Sequence, residues 1–199
     1  SSDVCSSDLG LLLAEAGSDI QTSQWLPRVA SGEALLTVAL LEAAGSLAPD
    51  AMALSLAIQG DSLRLDGTKL FVRDAGAAHA ILCIARSGAA PTDLSLVLVP
   101  ADAPGLQRTR MVAAGGEALW QVDFNHVHLP GSALIGAPGS AWPPIQAMIE
   151  RAAALKAAEL TGIGQAALDL TVAYARDRIQ FGRPIGSFQG VQHHCAEMS

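Results

Sequence analysis

The chain has 199 residues, 50% of them hydrophobic and 16% charged, and 12 Lys+Arg against 19 Asp+Glu give a formal net charge of −7. That balance excludes general disorder, which needs few apolar and many charged side chains, and it has the wrong sign for a dedicated binder of a phosphate backbone. No apolar run approaches the roughly 18–20 residues of a membrane helix, no basic-then-apolar leader opens the chain, and Cys5, Cys83 and Cys195 stand far apart without a CxxC, so the expectation is an acidic cytoplasmic globular protein without a disulfide framework or zinc site.

Residues 1–9, with a near-repeat of Ser-Ser-Asp, read as a tail and are set aside. From 10 to 33 the text suits short helices ended by Gly32, a remnant of a helical domain. From 34 to 140 short β-capable runs alternate with turn signals: Ala34 to Leu41, Ala53 to Ile58, Ser62 to Leu65, Leu70 to Val72, Ala80 to Ala85, Leu94 to Val99 and Leu119 to Val127. Strands this close, with no helical text between them, predict an antiparallel barrel or sandwich of about 100 residues. From 141 onward the period changes: Ile145 to Ile179 is free of proline and rich in Ala and Leu, and predicts one long bundle helix. Gly182 and Pro184 stop it, and Ser187 is placed to cap a second helix from Phe188 to Met198. The expected class is α+β, a β-domain flanked by helices and followed by the first helices of a four-helix bundle.

Several motifs have modest structural explanations. Gly162-Ile-Gly164-Gln-Ala-Ala167 fits a dinucleotide pattern, but helical text precedes it where that fingerprint needs a strand, so its glycines are expected to permit close helix contact. His193, His194 and Cys195 succeed one another on a helix and diverge by roughly 100° per residue, so they cannot converge on one ion. His126 and His128 share a strand face without a third ligand. Glu150, Glu159 and Asp169 are candidate acids only because they interrupt an apolar helix, and Glu150-Arg151 suits a helix start. The segment from Tyr174 to Gln189 is harder to dismiss. It crowds Arg176, Arg178 and Arg183 at one helix end of an acidic protein, whereas the helix dipole rewards each cation there by only about 0.3–1 kcal/mol. Guanidinium forks match phosphate oxygens, and Gln180 and Gln189 add neutral donors, so a plain helix stop and a diphosphate seat both fit these residues.

Arg178-Ile-Gln-Phe-Gly-Arg-Pro-Ile-Gly-Ser-Phe-Gln189, followed by Val191-Gln-His and Ala196-Glu-Met198, resembles the signature of the flavin-dependent acyl-CoA dehydrogenases, R-x-x-F-G with a Gln eleven residues after the Arg. Trp25-Leu26-Pro27 through Gly32-Glu33, Gly67-Thr-Lys69-Leu-Phe71-Val-Arg73-Asp74 through Ala85-Arg86, and Leu96 to Val99 with Pro104-Gly105 resemble further segments of that family in the same order. The resemblance runs from about Gly10 to Ser199 and implies a fragment: the end of a helical N-terminal domain, the β-domain, and a bundle that stops in its second helix.

The resemblance implies FAD as cofactor, an acyl-CoA as substrate, electron-transferring flavoprotein or a similar acceptor, and a homo- or hetero-oligomer. A carboxylate takes the α-proton of the thioester while a hydride leaves the β-carbon. Arg178 and Gln189 are implied to contact the FAD of a neighbouring subunit, with Gln180 and Phe181 beside them. Phe71 is implied to wall the isoalloxazine, and Ser46 and Glu150 are the candidate substrate contacts. Leu41 and Arg73 stand where the family carries flavin-contacting threonines, which opens the alternative of a partner subunit whose own flavin site has decayed. The position used as base in some branches falls at Ala152, so no catalytic base is identified and the chain alone is expected to be inactive.

Overall fold

The computed structural model of the chain describes residues 2–199, and side chains from Leu9 onward. It divides into two compact units, the first ending at Arg151 and the second covering Ala152–Ser199. The first unit opens with α1 (Ser2–Ala16) and α2 (Asp19–Ala30). The helix α1 thus begins within the stretch set aside as a tail, and Leu9 is already fully buried with Leu12 and Leu13. Ser18 starts α2 with a reciprocal capping box: its hydroxyl accepts the Gln21 N–H and its N–H bonds the Gln21 side chain, so two orphan donors of the first turn are satisfied.

Eight strands follow: β1 (Leu36–Ala39), β2 (Ser55–Gln59), β3 (Ser62–Arg73), β4 (Ala80–Arg86), β5 (Leu94–Pro100), β6 (Leu106–Met111), β7 (Leu119–Pro130) and β8 (Leu134–Ile135), in the order β6-β7-β3-β2-β4-β5-β8 with β1 also on β4. The sheet is antiparallel apart from β1 and the single β2–β4 pair, which run parallel to β4. That departure arises because β1 and β2 are joined by a long loop rather than a hairpin, and such a connection can return a strand in the same direction.

The text of β4 and β5 is almost continuously apolar because both faces are covered. Ile81, Cys83, Ala85, Val97 and Val99 join Leu56, Leu65, Val122 and Phe124 in the sheet interior. Leu82, Ile84, Leu96 and Leu98 face a second core with Leu12, Leu13, Ile145 and Met148. The two short runs expected from Ser62 to Val72 form one strand, β3, carried across Asp66 and Leu70-Phe71 by two irregularities. β6 escaped the pattern because Leu-Gln-Arg-Thr-Arg-Met is an exposed edge strand without a buried face.

Helix α3 spans Trp142–Asp177, starting three residues before the expected Ile145 because Pro143 and Pro144 occupy its first turn, where their missing N–H groups are no loss. Glu150-Arg151 therefore lies well inside this helix rather than at its start. The second unit continues along α3 from Ala152 and adds β9 (Ile179–Gln180), β10 (Arg183–Pro184) and α4 (Gln189–Met198). Ser187 does not cap α4: its hydroxyl donates to the Pro184 carbonyl at 2.7 Å inside a 3₁₀ turn, and Phe188 takes the N-cap position. A Cβ on Gly162 or Gly164 would meet nothing within 4 Å, so the expected close helix contact is not present among the described residues.

Candidate functional site

The residues singled out from the sequence fall into two groups, one in each unit. In the first, β3 bulges where Leu70 and Phe71 together oppose the single residue Gln121, between the pairs Lys69↔Val122 and Val72↔Trp120. Phe71 takes a left-handed φ of 56°, uncommon for a bulky residue, and its ring is 47% exposed. A bulge re-aims side chains in this way. It also frees the Leu70 N–H from the ladder, and that group donates to the Leu41 carbonyl at 2.8 Å. Leu41 is thus hydrogen-bonded to Leu70, the residue that precedes Phe71 in the bulge. Ser46 lies further along the same loop, where its hydroxyl accepts the Ala48 N–H at 3.1 Å. Arg73 closes the group: its carbonyl accepts the Thr37 hydroxyl at 2.6 Å and its guanidinium meets Glu117 at 3.0 Å.

Beneath this loop lies an ion pair that the motif reading did not single out. Lys69 is 0% exposed, and its Nζ donates to Glu42 Oε1 at 2.7 Å and to the Leu40 carbonyl at 3.0 Å. Glu42 also accepts the N–H groups of Ala53 and Leu54, at 2.8 and 3.0 Å. Burial pushes the Lys69 ammonium below its usual range, and the Glu42 hydrogen bond and charge pull it part of the way back. Burial likewise pushes the neighbouring Cys83 thiol up to about 12, slightly offset by the Lys69 charge, which makes it an inert core side chain. Lys69 and Lys156 are the chain's only lysines. A lysine alternating with core residues in an otherwise ordinary strand is the signal that could have exposed the pair.

The second group sits where α3 ends. Gln180 pairs with Arg183 and Ile179 with Pro184, leaving Phe181 (φ 52°) and Gly182 (φ 77°) as the two central residues of a tight hairpin turn. Two successive positive φ values define the type I′ turn that suits strand twist; glycine adopts one freely, whereas Phe181 is strained there by about 1–2 kcal/mol. Phe181 is nonetheless 92% exposed, with its ring edge-on to Phe188 at a centroid separation of 6.1 Å. Arg183 stacks on Phe188 at 4.3 Å. Gly186 lets this turn lie against the helix, since a Cβ there would stand 3.0 Å from the Ala175 carbonyl. Arg176, Arg178 and Gln189 are exposed, and neither Arg176 nor Arg178 meets a carboxylate among the described residues. Exposed, unpaired guanidinium groups around a rigid turn are a donor set that fits a diphosphate.

Glu150 belongs to neither group: it is exposed on α3 and accepts from Gln146 at 2.9 Å. His126 is taken up by Asp66, through both its ring and its N–H, and no cluster that could hold a metal ion occurs among the described residues. No helix is long and apolar enough to cross a membrane among the described residues.

Residues 140–199 match the family described as acyl-CoA dehydrogenase, C-terminal domain. The chain is 31% identical over 193 residues to acyl-CoA dehydrogenase FadE12 of Mycobacterium tuberculosis, covering 94% of this chain and 50% of that protein. It is 32% identical over 190 residues to the probable acyl-CoA dehydrogenase YngJ of Bacillus subtilis, covering 92% and 50%. Among solved structures it superposes on butyryl-CoA dehydrogenase of Megasphaera elsdenii with TM-score 0.92 at 21% identity, over 99% of this chain and 53% of that one. A glutaryl-CoA dehydrogenase of Mycobacterium smegmatis solved with FADH2 gives TM-score 0.89 at 23% identity, over 98% and 50%. The α+β fold is therefore the acyl-CoA dehydrogenase one, the resemblance read from the motifs holds over almost the whole chain, and the chain spans about half the length of the relatives it matches.

Proposed function

From this likeness to acyl-CoA dehydrogenases we propose that the chain is part of an FAD-dependent oxidoreductase that introduces a double bond between Cα and Cβ of an acyl-CoA thioester. The observation that carries the proposal is the Arg178–Gln189 hairpin: a strained turn at the end of α3 that presents Phe181 to solvent beside guanidinium groups with no acidic partner among the described residues. FAD, when bound, supplies the hydride acceptor. Arg178 and Gln189 hold the diphosphate and adenosine portion of the FAD bound by a neighbouring subunit, as charged forks and neutral amides suit phosphate and hydroxyl oxygens. Gln180 and Phe181 flank that contact. In the first unit Phe71, turned outward by its bulge, forms an apolar wall, and Leu41, Ser46 and Arg73 line the same region. Glu42 does not serve as the base: Lys69 and two main-chain N–H groups already engage its carboxylate oxygens. The family's base position on α3 falls at Ala152, which carries no carboxylate, so in this proposal none of the described residues is assigned as the proton-abstracting base.

The test is reduction of the cofactor by substrate. An acyl-CoA of matched chain length bleaches the flavin absorbance of the full-length, FAD-loaded enzyme; a folded, flavin-loaded protein that no acyl-CoA bleaches ends the proposal. One observation favours a second reading, a partner subunit that lends Arg178 and Gln189 to a catalytic neighbour. Leu41 brings no hydroxyl, and the Arg73 guanidinium is occupied by Glu117. That reading requires the protein purified alone to be colourless, and stoichiometric FAD in it decides for the enzyme.

A further inference from the structure

The loop from Leu40 to Leu47 carries two of the predicted contact residues, Leu41 and Ser46, yet it has no regular structure of its own. What fixes it comes from beneath. Lys69 Nζ holds the Leu40 carbonyl, Leu70 N–H holds the Leu41 carbonyl, and Glu42 is held by Lys69 while gripping Ala53 and Leu54 at the loop's far end. The Gly45 N–H then returns to the Glu42 carbonyl at 2.9 Å, closing the turn that leads to Ser46.

We propose that Lys69 and Glu42 are positioning residues, a buried ion pair that latches this loop against the bulge of β3 so that Leu41, Ser46 and Phe71 are pre-assembled for the flavin and the acyl thioester. Three features support it beyond simple core stability. A hydrocarbon side chain would fill the Lys69 position in the sheet interior at less desolvation cost than an ammonium, so the charge is retained for what it grips. The ammonium grips only loop atoms, Leu40 O and Glu42 Oε1. The carboxylate completes two main-chain donors in the gap between β1 and β2, where no strand neighbour does so. The latch adds no contact of its own to a ligand. It raises the fraction of molecules whose loop is competent, and apparent affinity scales with that fraction.

The inference rests on the flavin reading above, and the experiment separates the two. Hydrogen exchange of the apo full chain and titration with FAD are compared for wild type, Lys69→Met and Glu42→Gln. The latch predicts that exchange in residues 40–48 quickens by clearly more than the loss of global stability read from the amides of β4 and β5, and that the FAD dissociation constant rises about 10-fold in both variants. It is overturned if exchange in 40–48 stays at the wild-type rate, or if β4 and β5 lose protection to the same degree as the loop, which is the behaviour of ordinary core residues. A loosened loop with unchanged FAD affinity also overturns it and leaves the flavin reading standing. If wild type takes up no FAD, the flavin reading itself falls, and the positioning role falls with it.

Discussion

Changing Glu42 to glutamine leaves the Lys69 ammonium buried beside a neutral amide, with the Leu40 carbonyl as its remaining acceptor. Removing one partner of a buried pair costs about 3–5 kcal/mol, because the charge left behind has lost its solvation twice over. For a chain of this length each kcal/mol lowers the midpoint of thermal unfolding by about 2–4 °C, so Glu42→Gln is expected to lower it by roughly 6–20 °C. Lys69→Met removes the stranded cation and leaves Glu42, 11% exposed, with its two main-chain donors, so its cost is about 1–2 kcal/mol. The double variant has no unpaired charge and should lie close to Lys69→Met rather than at the sum of the singles, a coupling of about 2 kcal/mol or more. The pH dependence has a definite sign. Since burial lowers the Lys69 pKa below 10.5, the native state releases that proton before the unfolded chain does. The penalty in Glu42→Gln therefore shrinks as pH rises toward 10.5. Urea titrations of the four proteins at neutral and alkaline pH measure both effects. Additive single substitutions, or a penalty that grows with pH, would refute the reasoning.

Other outcomes follow from individual contacts. Cys83, fully buried with its thiol pushed up to about 12, should resist thiol reagents in the native protein while half-buried Cys195 reacts. Its contribution to stability is complete below its ordinary value of 9.0 and is lost as pH climbs from there through 12, which alkaline unfolding of Cys83→Ala against wild type would reveal. Gly105→Ala forces a side chain into φ 88° and onto the Asn125 carbonyl, and should cost roughly 2–3 kcal/mol by calorimetry, a neutral result contradicting the close approach of the β5–β6 turn to β7. Arg178→Ala, by contrast, breaks no ion pair among the described residues and should shift stability by less than about 0.5 kcal/mol. A large loss there would show that the guanidinium serves the fold.

The chain order of helix, sheet and long helix was legible because each region keeps one hydrophobic period over many residues. β4 and β5 were plain as apolar runs, and α3 as proline-free Ala-rich text. Where local signals were weak, the reading failed for specific reasons. β6 has no buried face, so alternation could not mark it, and β1 pairs with β4 in parallel, a relation fixed by a distant strand. Ser187 had the chemistry of a cap but spends its hydroxyl on Pro184. The hairpin at Phe181 was visible as a motif, since Gly182 and Pro184 punctuate it. The Lys69–Glu42 pair joins residues 27 apart in sequence, and its partners include main-chain atoms of Ala53 and Leu54 that no side-chain pattern records.

The central question is whether guanidinium groups at the end of α3 hold a flavin nucleotide. Isothermal titration of the apo full-length protein with FAD, beside Arg178→Ala and Gln189→Ala, measures this directly. The expected result is stoichiometric binding by wild type, and a dissociation constant raised by about 10-fold or more in Arg178→Ala, the loss of about 1.5–3 kcal/mol that a charge-assisted contact carries. Equal FAD affinity in all three proteins, or none in wild type, would contradict it.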